Sequence, residues 1–248
     1  CLLSRGLGDV YKRQNQNCST HIIVSLLSNS KMLKFFLMAS TLLCSIYTFA
    51  ADEIMPDKIS VGDPEVGSSL VSTCAACHGS DGNSLNGSWP NLAGQNQKYT
   101  YDQLKYFQNG SRQNVLMSSV IEYLNSLTDE QLLGIAAFYE SQSSNVGQAT
   151  NDEELLALGE KLYRAGDLGK GIPACTACHS PNGAGNIQAG FPKVSGQQKG
   201  YLESTLKEYR SQKRDAGAYS LVMQSASANL TDRQIEALAN YMHGLYEN

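Results

Sequence analysis

The sequence predicts an all-α chain built from two copies of one unit, and three observations carry that prediction. The chain repeats itself: "WPNLAGQNQKY" at 89–99 matches "FPKVSGQQKGY" at 191–201, and "SLTDEQLLGIAAFYES" at 126–141 matches "NLTDRQIEALANYMHG" at 229–244. Tandem self-similarity of this kind marks a repeated structural unit. The apolar periodicity is helical, with Leu132, Ile135, Ala136 and Tyr139 at i, i+3, i+4 and i+7, and Ile235, Leu238, Ala239 and Met242 in the same pattern. Sustained apolar–polar alternation, the signature of strands, is weak throughout.

The N-terminus is a separate matter. Residues 1–31 begin at Cys1 and follow no clean period, and we read them as not belonging to the natural protein. From Met32 the stretch "MLKFFLMASTLLCSIYTFAADE" has Lys34 as a short positive region, an apolar run from Phe35 to Phe49, and Thr48 and Ala50 as a small-x-small pair. That pattern predicts a secretory signal peptide over 32–50, cleaved after Ala50. The run is shorter than the ~20 apolar residues that span a bilayer, and Leu43 is too bulky for Cys44 to be a lipoprotein acceptor. The expected organisation is a non-mature extension over 1–50, a first unit over 51–145 and a second over 146–248. The polar stretch "SQSSNVGQATNDE" at 141–153 links the two.

Each unit's last helix opens with a capping box, Thr128 with Gln131 and Thr231 with Gln234, in which hydroxyl and amide satisfy exposed backbone donors reciprocally. A helix ahead of each cysteine cluster is predicted from Val66 and Leu70, and from Leu155, Leu158 and Leu162.

Composition excludes some functions. With 42% hydrophobic and 17% charged residues the chain is an ordinary globular one. After the leader, 14 basic residues face 22 acidic ones, a net charge of -8, so nucleic acid is not an expected partner. The charge is uneven, -7 over 51–150 and -1 over 151–248. Lys207, Arg210, Lys213 and Arg214 form one local basic run, read as a docking patch or a solvated helix face.

Without the leader, the cysteines are Cys74 and Cys77 in "CAACHGSDGN" and Cys175 and Cys178 in "CTACHSPNG". Zinc wants a second ligand pair close by, and here it lies in the other copy. A redox dithiol wants a βαβ setting, which is not visible. The remaining reading is attachment of a c-type haem in each unit, both thiols adding to the porphyrin vinyl groups and the next residue, His78 or His179, ligating the iron. One CxxCH would arise by chance roughly 0.003 times in a chain of this composition, and two in register far less often. A covalent cofactor also suits units of this size, which bury too little surface to be amply stable alone.

The sixth iron ligand separates electron transfer from small-molecule chemistry. His243, near the C-terminus, reads as a surface cation at a helix end. Methionine is the other candidate: Met117 in the first unit, and in the second Met223, placed in a loop, since Met242 lies on the apolar stripe of the last helix. Pro90 and Pro192, in "WPNLAG" and "FPKVSG", are candidates for accepting the bond that orients each histidine ring.

Two CxxCH units in tandem, each followed by Pro with "NLAG" or "KVSG", a methionine and a final helix, resemble the dihaem cytochrome c4 family over 52–248, with "GIPACTACHSPNGAGN" especially specific. The resemblance implies two class I cytochrome c domains, His/Met coordination at both irons, haem edges facing across the interface, and a periplasmic protein, free or membrane-associated. It implies redox proteins as partners, a membrane cytochrome as donor and a haem-copper oxidase as acceptor, with no small-molecule substrate. Two alternatives stand beside this electron shuttle: the cytochrome subunit of a flavin- or quinone-dependent dehydrogenase, and a dihaem peroxidase with one open iron.

Overall fold

A computed structural model of the chain describes residues 61–246. The leader and its predicted signal peptide lie outside them. The described residues are helical, with no strand among them and only two isolated bridges, Asp167 with Ile172 and Asn186 with Phe191. None of their helices is long and apolar enough to cross a membrane.

The first copy consists of α1 (Pro64–Ser68), α2 (Ser72–His78), α3 (Gln97–Gln108), a 3₁₀ turn (Met117–Val120), α4 (Ile121–Asn125) and α5 (Asp129–Glu140). The second consists of α6 (Glu153–Ala165), a 3₁₀ turn (Leu168–Lys170), α7 (Thr176–His179), α8 (Lys199–Arg210), α9 (Ser220–Ser227) and α10 (Asp232–Gly244). In each, the last helix is the axis of the core: α1 and α3 pack on α5, and α6 and α8 pack on α10. Both predicted capping boxes form, with Thr128 accepting from the Gln131 N–H and Thr231 from the Gln234 N–H. Leu132, Ile135, Ala136 and Tyr139 are fully or nearly fully buried, as are Ile235, Leu238, Ala239 and Met242.

The helix crossings are close because glycine permits it. A Cβ on Gly67 would collide with the Gly134 carbonyl of α5, and one on Gly159 with the Ala237 carbonyl of α10. This corrects one expectation. Val66 is 41% exposed rather than part of a buried stripe, since Gly67 is the residue that faces α5. The helix predicted ahead of the first cluster is also divided, α1 ending at Ser68 and α2 starting at Ser72.

The linker has no helix, yet it is strapped to both copies. Asn83 donates to the Ser143 carbonyl at 3.0 Å and accepts from the Asn145 N–H at 2.8 Å, Ser144 donates to the Ala93 carbonyl, and the Thr150 N–H donates to Asn240 at 2.9 Å.

Arg214 is not a surface cation. It is 4% exposed, and its guanidinium donates to Tyr99 (2.9 Å) and Gln103 (3.0 Å) of the first copy and to Tyr201 (3.4 Å) of its own. Arg210 is likewise engaged, with the Leu230 carbonyl and Asp232. The predicted basic patch is thus divided: Lys207 and Arg210 lie on α8, which ends at Arg210, and the segment after it turns Arg214 into the contact between copies. His243 differs from expectation too: it is half-buried, and its Nδ1 lies 2.8 Å from the Gln197 carbonyl.

Candidate functional site: the paired CxxCH clusters

The two cysteines and the histidine of the first cluster lie on α2, so Cys74 and Cys77 stand one helical turn apart with His78 next in line. In the second copy Cys175 is the N-cap of α7, and Cys178 and His179 are its last residues. All four thiols are free, with no disulfide among them. Burial pushes the Cys74 thiol up, and the Cys175 thiol up to about 11. A reactive dithiol needs the opposite, a stabilised thiolate, so the redox-dithiol alternative has no support here.

Both histidines are 8% exposed. The Nδ1 of His78 is 2.9 Å from the Pro90 carbonyl, and that of His179 is 2.9 Å from the Pro192 carbonyl. Burial lowers the pKa of each ring, partly opposed by that carbonyl. A neutral imidazole whose Nδ1–H donates to a carbonyl presents the Nε2 lone pair as a ligand with a fixed orientation.

The proline loops are pinned in the same way in both copies. The Gly82 carbonyl accepts from Leu92 (2.7 Å) and Ala93 (3.1 Å), and the Gly183 carbonyl accepts from Val194 (2.8 Å) and Ser195 (3.1 Å). Both glycines have positive φ, 81° and 78°, and a side chain at Gly82 would strike Tyr139 and Ala93 while one at Gly183 would strike Ser195. The turn after each CxxCH therefore carries the loop that holds its histidine.

Met117 and Cys74 pack against one apolar cluster, which includes Leu124, Leu132, Ile135 and Tyr139. Met223 and Cys175 pack against the other, which includes Leu162, Tyr163, Ile235 and Leu238. Met117 opens the 3₁₀ turn, whereas Met223 lies inside α9, not in the loop expected for it. Each methionine follows two exposed apolar residues, Val115 and Leu116 or Leu221 and Val222, surface that a flat apolar ligand would cover. Met242 is in the core, as its position on the stripe predicts.

Among the described residues no group of three or more His, Cys, Asp and Glu side chains could hold a bare metal ion. The donors instead suit an iron porphyrin: paired thiols for its vinyl groups, an oriented imidazole, a soft thioether and an apolar wall. The class this arrangement points to is a cytochrome of the c type.

Comparison with known proteins bears on that class directly. The Cytochrome c family model matches residues 65–143 and again 156–245. The cytochrome c4 of Stutzerimonas stutzeri is 42% identical over 193 residues, 75% of this chain and 91% of its own length. The crystal structure of reduced recombinant cytochrome c4 from Pseudomonas stutzeri superposes with a TM-score of 0.71 at 41% identity, over 75% of this chain and all of that one. A protein of Thiomonas intermedia, described as a thiosulfate dehydrogenase electron acceptor, is 34% identical over 175 residues, 69% of this chain and 78% of its own. The chain belongs to the cytochrome c4 family. Such proteins are electron carriers with covalently bound haem, not enzymes, which removes the peroxidase alternative.

The sequence reading missed the residues that join the two sites. Gln95 and Gln197 are identical within the quoted repeat, as are Tyr99 and Tyr201, and a conserved place in the internal repeat was the available signal. Arg112 donates to Gln103 at 2.8 Å and to Tyr201 at 3.4 Å, completing a Tyr–Arg cluster between the copies.

Proposed function

We propose that this protein is a periplasmic dihaem electron shuttle that accepts single electrons from a membrane cytochrome and delivers them toward a haem-copper oxidase. The observation that carries the reading is the matched pair of buried imidazoles, each held at 2.9 Å by a proline carbonyl beside two free thiols. The units 51–145 and 146–248 would hold one haem each. Cys74 and Cys77 attach the first and Cys175 and Cys178 the second; His78 and His179 are the proximal ligands, and Met117 and Met223 the distal ones. Pro90 and Pro192 fix the rings.

When bound, haem supplies a one-electron Fe(III)/Fe(II) couple, and a thioether ligand favours the reduced state. The protein's part is to keep that couple rigid. Burial keeps each imidazole neutral, the proline carbonyls hold it in one orientation, and the apolar clusters against which the cysteines and methionines pack exclude water. The charge difference between the copies, -7 against -1, supports directional approach to charged partners. The predicted signal peptide supports export.

The test is a haem count followed by an optical redox titration of the holoprotein. Two c-type haems per chain, both low-spin with the long-wavelength methionine-to-Fe(III) band, are expected; one haem or a high-spin site would overturn the assignment. A second reading, as the acceptor subunit of a dehydrogenase, is favoured by the Thiomonas relative. Copurification of a dehydrogenase with the native protein is the result that would select it.

A further inference from the structure

The contact between the copies contains a reciprocal hydrogen-bond motif that the histidine geometry does not require. The side-chain amide of Gln197 accepts from the Asn91 N–H at 2.7 Å and donates to the Asn91 carbonyl at 2.9 Å. At the equivalent place in the repeat, Gln95 accepts from the Lys193 N–H at 2.8 Å and donates to the Lys193 carbonyl at 3.0 Å. Each glutamine thus imitates one rung of a β-ladder, laid along the backbone of the other copy. Both are 6% exposed, and each Oε1 accepts a second bond from the N–H of the following residue, Asn96 or Gln198. An amide bonded this fully, in a buried site, has one orientation.

The place of the motif gives it meaning. Asn91 directly follows Pro90, whose carbonyl holds His78, and Lys193 directly follows Pro192, whose carbonyl holds His179. The peptide that positions one copy's histidine is therefore clamped by the other copy's glutamine. The carbonyl of Gln197 is itself steadied by His243 at 2.8 Å.

We propose that Gln95 and Gln197 are crossed positioning residues: each fixes, through the residue after a proline, the ring orientation of the haem-ligating histidine in the opposite copy. The inference rests on the dihaem reading above. It makes the ligand field of each haem depend on the neighbouring unit, so that the two sites share a structural element rather than merely a boundary.

The test uses the holoprotein and the variants Gln197→Ala and Gln95→Ala, with Gln103→Ala as a control that also removes bonds between the copies. In Gln197→Ala the Asn91 amide should exchange with solvent at least about tenfold faster, while Lys193 stays unchanged. The hyperfine-shifted resonances and midpoint potential of the haem on His78 should move, and those of the haem on His179 should not. Gln95→Ala should give the mirror result, and Gln103→Ala should leave both haems in place. Gln197→Glu keeps the acceptor but loses the donor; it should shift the same haem by less, and it serves if the alanine variant does not fold. Shifts confined to the variant's own copy, equal shifts in both haems, or none at all would overturn the crossed assignment. A wild-type chain lacking two covalent haems would instead defeat the dihaem reading itself.

Discussion

In the first copy Gly67 stands seven positions before Cys74; in the second Gly159 stands sixteen before Cys175. The added length forms a 3₁₀ turn at Leu168–Lys170 and a bridge between Asp167 and Ile172, and it buries Ile172. The downstream spacing differs as well. Met117 lies ten residues before Leu127, Met223 seven before Leu230. In the first copy the methionine precedes a short helix, α4, and in the second the helix contains it. Despite these changes the histidine-to-carbonyl distance is 2.9 Å in both. What stays constant is the path from the CxxCH turn through a positive-φ glycine to the proline loop and the last helix. Connections on either side are free to vary because they do not bear on the ring.

That comparison predicts its own largest test. If both methionines ligate iron, Met117→Ala and Met223→Ala should each abolish about half of the methionine-to-Fe(III) absorption and lower the potential of one haem only. A variant that leaves the band intact would show that the different helical settings of the two methionines reflect different roles.

The glycine crossings come next. Gly67→Ala and Gly159→Ala each push a methyl group into a backbone carbonyl that cannot rotate away, and overpacking of this kind costs about 3 kcal/mol. Chemical denaturation should show similar losses in the two variants. A loss confined to Gly159→Ala would mean that α1, only five residues long, moves aside where α6 cannot.

Much of this was legible in the sequence, and the reason is locality. The last helices, their capping boxes and the cysteine–histidine spacing are written within a turn or two of chain. The proline-to-histidine bond spans twelve or thirteen residues and was reachable because the chemistry of an oriented imidazole demands an acceptor. The helix around Met223 was missed because in "SLVMQSAS" Leu221, Val222 and Met223 run consecutively rather than at helical spacing, and the helix start has no side-chain cap. Arg214 and the two glutamines were missed for a different reason: a tandem repeat does not say which faces of its copies meet. Four basic residues within eight positions look solvated until Tyr99 and Gln103, more than 100 residues away, are seen to bury one of them.

The buried cluster makes the copies unequal in their response to pH. Burial alone would raise the Tyr201 phenol, but the guanidiniums of Arg214 and Arg112 outweigh it and hold the pKa down at about 7. Tyr99 is pushed up to about 12, first by burial, against the pull of Arg214 and with the charge at Tyr201 adding to the rise. Tyr201 accepts from both guanidiniums, at 3.4 Å each, while Tyr99 accepts from Arg214 alone at 2.9 Å. A depressed acid binds fewer protons folded than unfolded between pH 7 and 10, so stability from this group is fully present above about 10 and lost as pH falls through about 7. The stability difference between wild type and Tyr201→Phe should grow across that window; a flat difference would mean that the phenol stays protonated.

The smallest effect tests whether the copies remain equivalent where their local hydrogen bonds are the same. Thr128 and Thr231 cap α5 and α10 with the same box: each hydroxyl accepts from the N3 amide at 3.3 Å, and each N3 glutamine accepts from the cap N–H at 2.9 Å. Replacing either threonine by alanine removes one acceptor from the helix start, at a cost of about 1 kcal/mol. Both threonines are exposed, but the box of Thr128 is open to solvent while that of Thr231 includes the buried Gln234. Water can replace the lost acceptor at Thr128 more readily, so Thr231→Ala should be the costlier of the two by a few tenths of a kcal/mol. Equal losses would place the two helix starts in the same environment, and a larger loss at Thr128 would reverse the order that burial predicts.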